Sequence, residues 1–158
     1  MSVSPVKEIL VTGASSGIGM ELARQLGVPG SRVWLVARTK DKLFILGGSA
    51  GGITMGRAMT ERPDLFAGVI DVVPCANPLR MEFSPNGPDN IPEFGSVTTK
   101  QGFEDLYAED SIQHVKKGVS YPAVMISTGL NDTRVAPWQP AKFTAALLAS
   151  GTSNPVLL

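Results

Sequence analysis

Leu43-Phe44-Ile45-Leu46-Gly47-Gly48-Ser49-Ala50-Gly51-Gly52 is the stretch that decides the architecture. Four apolar residues read as a short buried strand, the glycine-rich run as a tight turn, and the residues up to Thr60 as a helix. Within it, Gly47, Ser49 and Gly51 fit the Gly-x-Ser-x-Gly nucleophile elbow, a strained strand-to-helix turn that lifts a serine hydroxyl above a sheet. Small residues must flank the serine because such a turn crowds its neighbours. Glycine-rich sequence produces five-residue patterns by chance, so the weight lies on the flanking strand and helix.

Downstream, residues 65–73 read as a strand and 74–102 as a long Pro/Asn/Gly-rich excursion, and 103–115 as a helix. Tyr121-Pro122 introduces an apolar strand at 123–128. Residues 140–150 form a helix with Pro140 in its first turn and Gly151 as its stop, and 155–158 begin a further strand. Upstream, residues 8–11 and 32–37 read as strands on either side of a turn and a helix at 20–26, making a βαβ unit over 7–38. The alternation predicts an α/β fold with three layers and a mostly parallel sheet. The link from Thr39 to Lys42 is too short for a parallel crossover, which takes about a dozen residues or more. The strands it joins therefore form a hairpin or lie apart. Two segments are expected, 1–42 and 43–158, packed as one domain, with unpaired sheet edges that favour self-association.

From about Asp41 onward the sequence resembles the catalytic domain of the prolyl oligopeptidase family of serine peptidases. The residues that carry the match are Gly47 to Gly52, Arg62-Pro63-Asp64-Leu65-Phe66, Tyr121-Pro122, Asn131-Asp132-Thr133-Arg134-Val135 and Lys142-Phe143. The resemblance implies a partial α/β-hydrolase fold and a peptide or small ester substrate, with no cofactor. It makes Ser49 the nucleophile, the Ala50 N–H an oxyanion donor, Asp132 the acid that orients a histidine, and Arg134 a substrate contact. In this class the triad runs Ser, acid, His. Ser49 and Asp132 obey that order, but the sequence has one histidine, His114, which precedes the acid. Loss of the base in such a triad costs roughly a million-fold in turnover, so the chain is expected to be inactive alone. His114 lies in the polar run Gln113-His114-Val115-Lys116-Lys117 and reads as solvent-exposed. The family's propeller domain, its first hydrolase strands and a side-chain oxyanion donor have no counterpart in the sequence. A splice near residues 38–43 with a truncated C-terminus would explain this, and leaves a non-functional chimera as one reading.

Thr12-Gly13-Ala14-Ser15-Ser16-Gly17-Ile18-Gly19 carries the other candidate chemistry. Unpaired amides at a helix N-terminus bind phosphate, and glycines let a pyrophosphate approach. This order resembles the cofactor loop of the short-chain dehydrogenase/reductase family over about residues 7–43, and joins a Rossmann-like βαβ unit to the hydrolase segment. The resemblance implies NADP, bound by Gly13, Ser15, Gly17, Ile18 and Gly19, with Arg38 at the 2′-phosphate. An NADP-binding oxidoreductase is therefore the alternative reading. That family's Tyr-x-x-x-Lys pair is absent, since Tyr107 is followed four residues on by Ser111 and Tyr121 by Met125.

Composition narrows the rest. Lys+Arg and Asp+Glu are 14 each, which removes the electrostatic basis for a nucleic-acid or anionic-membrane partner. Cys75 alone forms no internal disulfide, and with His114 it is too little for a zinc site on His and Cys ligands. No signal peptide is visible after Met1, so a cytoplasmic address is expected. Trp34, Trp138, Met55, Met59 and Met81 read as packing residues.

Overall fold

The computed structural model describes residues 7–12, 31–36 and 43–158. Strands β1 (Lys7–Thr12) and β2 (Ser31–Val36) pair in parallel, from Lys7 opposite Ser31 to Thr12 opposite Val36. The turn and helix expected between them lie outside the described residues.

β3 (Phe44–Gly48), β4 (Gly68–Val72), β5 (Ala123–Ser127) and β6 (Val156–Leu157) form a second sheet, parallel throughout and in the order β3-β4-β5-β6. β2 and β3 belong to different sheets, so of the two outcomes expected for the short link, the strands lying apart is the one found. β4 begins at Gly68, three residues later than expected. Pro63–Leu65 is taken up by a 3-10 turn, which Arg62 braces through two short bonds to the Asp64 carboxylate, at 2.8 and 2.7 Å. Gly68 is needed there because a Cβ would stand 2.5 Å from the Phe44 ring.

The two-residue period of the strands sorts the side chains. Val69, Val124 and Ile126 face α1 (Gly51–Glu61) and α5 (Trp138–Ala149), packing with Met59, Phe143, Leu147 and Tyr121 in the main core. Tyr121 is fully buried yet satisfied, since its hydroxyl accepts from the Lys116 N–H at 2.7 Å. On the other face Ile70, Val72, Met125 and Leu157 are 37%, 42%, 51% and 59% exposed. Strands apolar on both sides are what a parallel sheet covered twice requires. Among the described residues only one of the two covers is formed, so the expected third layer is not among them.

The excursion after β4 is more structured than its composition implies. It holds α2 (Pro78–Met81), α3 (Gly87–Phe94) and the start of α4 (Lys100–Glu109). The helix expected at 103–115 is thus displaced. It starts at Lys100 because the Thr99 hydroxyl caps it, accepting from the Gly102 N–H at 3.1 Å. It ends at Asp110, whose buried carboxylate accepts from the Asn77 side-chain amide and from the N–H groups of Leu79 and Gln113, and a 3-10 turn at Ile112–His114 follows. The last helix runs from Trp138, two residues earlier than expected, and Gly151 at φ +84° ends it as read.

Candidate active site

The elbow forms as the sequence demands. Ser49 sits at φ +53°, a left-handed conformation that costs a non-glycine residue about 1–2 kcal/mol. Three backbone bonds hold it there. Its N–H donates to the Val72 carbonyl at 3.0 Å, and its own carbonyl accepts from Gly52 at 3.0 Å and Cys75 at 2.9 Å. Gly48 is required, since a Cβ there would lie 2.3 Å from the Val72 carbonyl oxygen, whereas a Cβ at Gly47 would lie 2.3 Å from the Met55 side chain, which would have to shift. Gly51 has nothing within 4 Å, so the third glycine of the pattern is not required by space.

The hydroxyl-bearing residue is thereby exposed at the carboxyl end of β3, and Ala50 is the N-cap of α1. The Ala50 N–H takes no hydrogen bond among the described residues, and it stands at the positive end of an 11-residue helix. Ser49, Ala50 and Arg134 line one cleft of about 60 Å³ together with Asn86, Asn90 and Glu93. The last three come from one face of α3 and its N-cap, spaced i, i+4 and i+7. Phe94 and Val135 supply apolar wall, and Cys75 closes the floor.

Asp132 stands on the loop that carries Arg134. Its Oδ1 accepts from the N–H groups of Arg134 at 2.8 Å and Val135 at 2.9 Å, which fixes the turn that brings both residues to the cleft. Its Oδ2 has no hydrogen-bond partner among the described residues. His114 departs from the expectation of solvent exposure. It is half-buried, with Nδ1 2.8 Å from the Asp110 carbonyl and its ring 5.3 Å from that of Tyr107, and it is not one of the residues lining the cleft. A backbone carbonyl and an aromatic neighbour make a structural imidazole.

Two groups near the elbow carried no sequence signal. Asp71, opposite Gly47 in the sheet, is fully buried with both carboxylate oxygens unpartnered, and burial pushes its pKa up to about 7. The Cys75 thiol is pushed up to about 11, by burial first and then by the charges of Asp71, Glu93 and Asp132, against the opposing pull of Arg134. Of the residues expected to hold NADP, Gly13, Ser15, Gly17, Ile18, Gly19 and Arg38 all lie outside the described residues. No group of three or more potential metal-binding His, Cys, Asp or Glu side chains occurs among the described residues.

Residues 37–158 match the Prolyl oligopeptidase family. The chain belongs to that family. It is 32% identical over 123 residues to a prolyl endopeptidase of Dictyostelium discoideum and 34% identical over 122 residues to one of Elizabethkingia miricola. These alignments cover 75% and 76% of the chain but 16% and 17% of the relatives, so the chain spans about a sixth of their length. Among solved structures, a prolyl endopeptidase superposes with a TM-score of 0.73 at 32% identity, covering 77% of this chain and 18% of the other. Oligopeptidase B from Leishmania major does so at 0.69 and 28%, covering 75% and 17%. The peptidase-family resemblance and the parallel α/β hydrolase architecture are thus established. The short-chain dehydrogenase resemblance finds no support in them, and peptidases of the family need no cofactor. No described helix is long and apolar enough to cross a membrane.

Proposed function

We propose that residues 43–158 are the nucleophile-and-acid portion of a serine peptidase acting on a peptide or small ester carbonyl. The observation that carries this reading is Ser49, held left-handed and exposed at the mouth of a cleft inside the family-matched region. Its Oγ would add to the substrate carbonyl carbon. The Ala50 N–H would take the resulting oxyanion, Asp132 Oδ2 would orient an imidazole, and Arg134 would donate to a neighbouring substrate oxygen.

The Oγ proton needs an acceptor. The single histidine of the sequence is His114, engaged with Asp110 and Tyr107, so the chain's own residues provide no imidazole at Ser49. The expected behaviour is a nucleophile that can be engaged but does not turn over. A peptide boronate tests the first half, because boron accepts the serine oxygen directly and reports the tetrahedral adduct by 11B NMR. An adduct in the unmodified chain that vanishes in Ser49→Ala is expected, with no hydrolysis of proline-containing peptide substrates by either. Absence of the adduct would remove Ser49 from the nucleophile role, and turnover abolished by Ser49→Ala would refute the inactivity.

A further inference from the structure

Two non-glycine residues stand left-handed at the carboxyl ends of adjacent strands, Ser49 after β3 at φ +53° and Val73 after β4 at φ +46°. For a β-branched residue that conformation is an outlier, and it persists only where the surroundings enforce it. The two sites are stitched together. The Ser49 N–H donates to the Val72 carbonyl, the Cys75 N–H donates to the Ser49 carbonyl, and the Val73 N–H donates to the Ser127 carbonyl at 2.8 Å. Residues 72–75 thus grip Ser49 by both its N–H and its carbonyl, and the third bond comes from the Gly52 N–H of α1.

Asp71 stands at the root of this grip. A Cβ at Gly52 would meet Pro74 at 2.5 Å and Asp71 Oδ1 at 3.0 Å, so the carboxyl and Pro74 press together on the first turn of α1. The side chain is fully buried, and neither carboxyl oxygen has a partner among the described residues. Pro74 has no N–H to offer, and the N–H groups of Gly52 and Cys75 are both spent on the Ser49 carbonyl. A neutral carboxyl is tolerated there. A carboxylate needs donors, and those two N–H groups would have to be drawn from Ser49. Burial pushes the Asp71 pKa up to about 7, which puts the change of state near neutral pH. Its sheet neighbours Gly47 and Ile126 carry no charge, and the Cys75 thiol, which feels the Asp71 charge, stays protonated with a pKa of about 11. The remaining charges of the packed elements are engaged elsewhere: Arg57 with the Ala108 carbonyl and Thr60, Asp110 with Asn77, Leu79 and Gln113, while Glu61 and Lys142 are exposed. Glu93, Asp132 and Arg134 act on the Cys75 thiol as well.

We infer that Asp71 is a positioning residue for the nucleophile: its neutral carboxyl leaves the 72–75 grip closed on Ser49, and loss of its proton draws the Gly52 and Cys75 N–H groups away from the Ser49 carbonyl. This rests on the reading of Ser49 as the nucleophile and adds the group that governs how firmly it is held.

Two readouts on the 15N-labelled chain separate this inference from the reading beneath it. Dissociation constants of the peptide boronate are measured by 11B NMR at about pH 6 and about pH 8, on either side of the Asp71 pKa, for the unmodified chain, Asp71→Asn and Asp71→Ala. The boronate's own ionisation is common to all three and cancels in the ratios. Relative to each variant, the unmodified chain should lose at least about fivefold in affinity between the two pH values, the scale of one backbone hydrogen bond, while the variants keep a constant ratio to each other. Without boronate, the amide shifts of Gly52 and Cys75 should titrate with a midpoint of about 7 in the unmodified chain and stay flat in Asp71→Asn, with the core amides of Val124 and Leu147 unmoved in both. Parallel affinity changes in all three proteins, or Gly52 and Cys75 shifts that titrate equally in Asp71→Asn, would overturn the inference. If no adduct forms in any of the three at either pH, Ser49 loses the nucleophile role, and the amide titration still decides whether Asp71 governs the bonds of the elbow.

Discussion

Asp71 is the residue whose environment is hardest to reconcile with its chemistry. Its Oδ1 lies 3.0 Å from where a Gly52 Cβ would sit, against the first turn of α1, and neither oxygen has a partner. The side chain is therefore tolerated chiefly as the neutral acid, with a pKa of about 7. An unfolded chain releases that proton near pH 4, so between about pH 4 and 7 the native state binds more protons. Stability should fall as pH rises through that window and remain at the lower level above it. The loss is on the order of a few kcal/mol. Asp71→Asn, which imitates the neutral acid, should flatten the slope and raise the urea midpoint at pH 8 relative to the unmodified chain. Equal pH slopes in the two proteins would mean that Asp71 finds a partner when ionised. Nothing in Gly68-Val69-Ile70-Asp71-Val72 announces this, because alternation alone makes the position inward-facing and an acid there reads as a strand interruption.

The strand-turn-helix element from β3 to α1 sets different demands on its glycines. Gly48→Ala should destabilise by about 1–3 kcal/mol, because the new methyl meets the Val72 carbonyl, a backbone atom that cannot swing away. Gly51→Ala should be neutral or stabilise by up to about 1 kcal/mol, having open space and lower unfolded-state entropy. Urea midpoints of the two variants check both, and equal effects would mean the elbow is looser than its contacts imply. This element was legible in sequence because its signals are local: four apolar residues, a run of small ones, then a helix. β5 and α5 were legible for the same reason. The excursion was not. Its helices are short, α3 contains Pro92, and they are tied down by partners far along the chain. The Arg57 guanidinium donates to the Ala108 carbonyl at 2.6 Å, and the Asn77 N–H donates to Gln139 Oε1 at 3.1 Å. Glu93 and Asn86 entered the cleft through that same fold, so no spacing in the sequence could have placed them beside Ser49.

Taken as a whole, the molecule presents an apolar sheet face through Ile70, Val72, Met125 and Leu157, with β3 at the edge of the described sheet. The chain should therefore self-associate with rising concentration and bind an apolar dye. Met125→Lys, at the centre of that face, should reduce both while leaving the opposite core untouched. Sedimentation that stays monomeric at high concentration without dye binding would show the face to be covered. Another consequence follows from the strand order. Because β3, β4, β5 and β6 neighbour one another in space in the sequence in which they are made, the sheet can be laid down one strand at a time from a single growing edge. The costly closure is the return from β4 to β5 across residues 73–122, longer than the return through α1, and an extra loop entropy of about 1 kcal/mol falls on it. Folding speed should accordingly be governed by how early the β4-to-β5 excursion organises itself, and the long-range Asn77–Asp110 bond becomes a kinetic fastener.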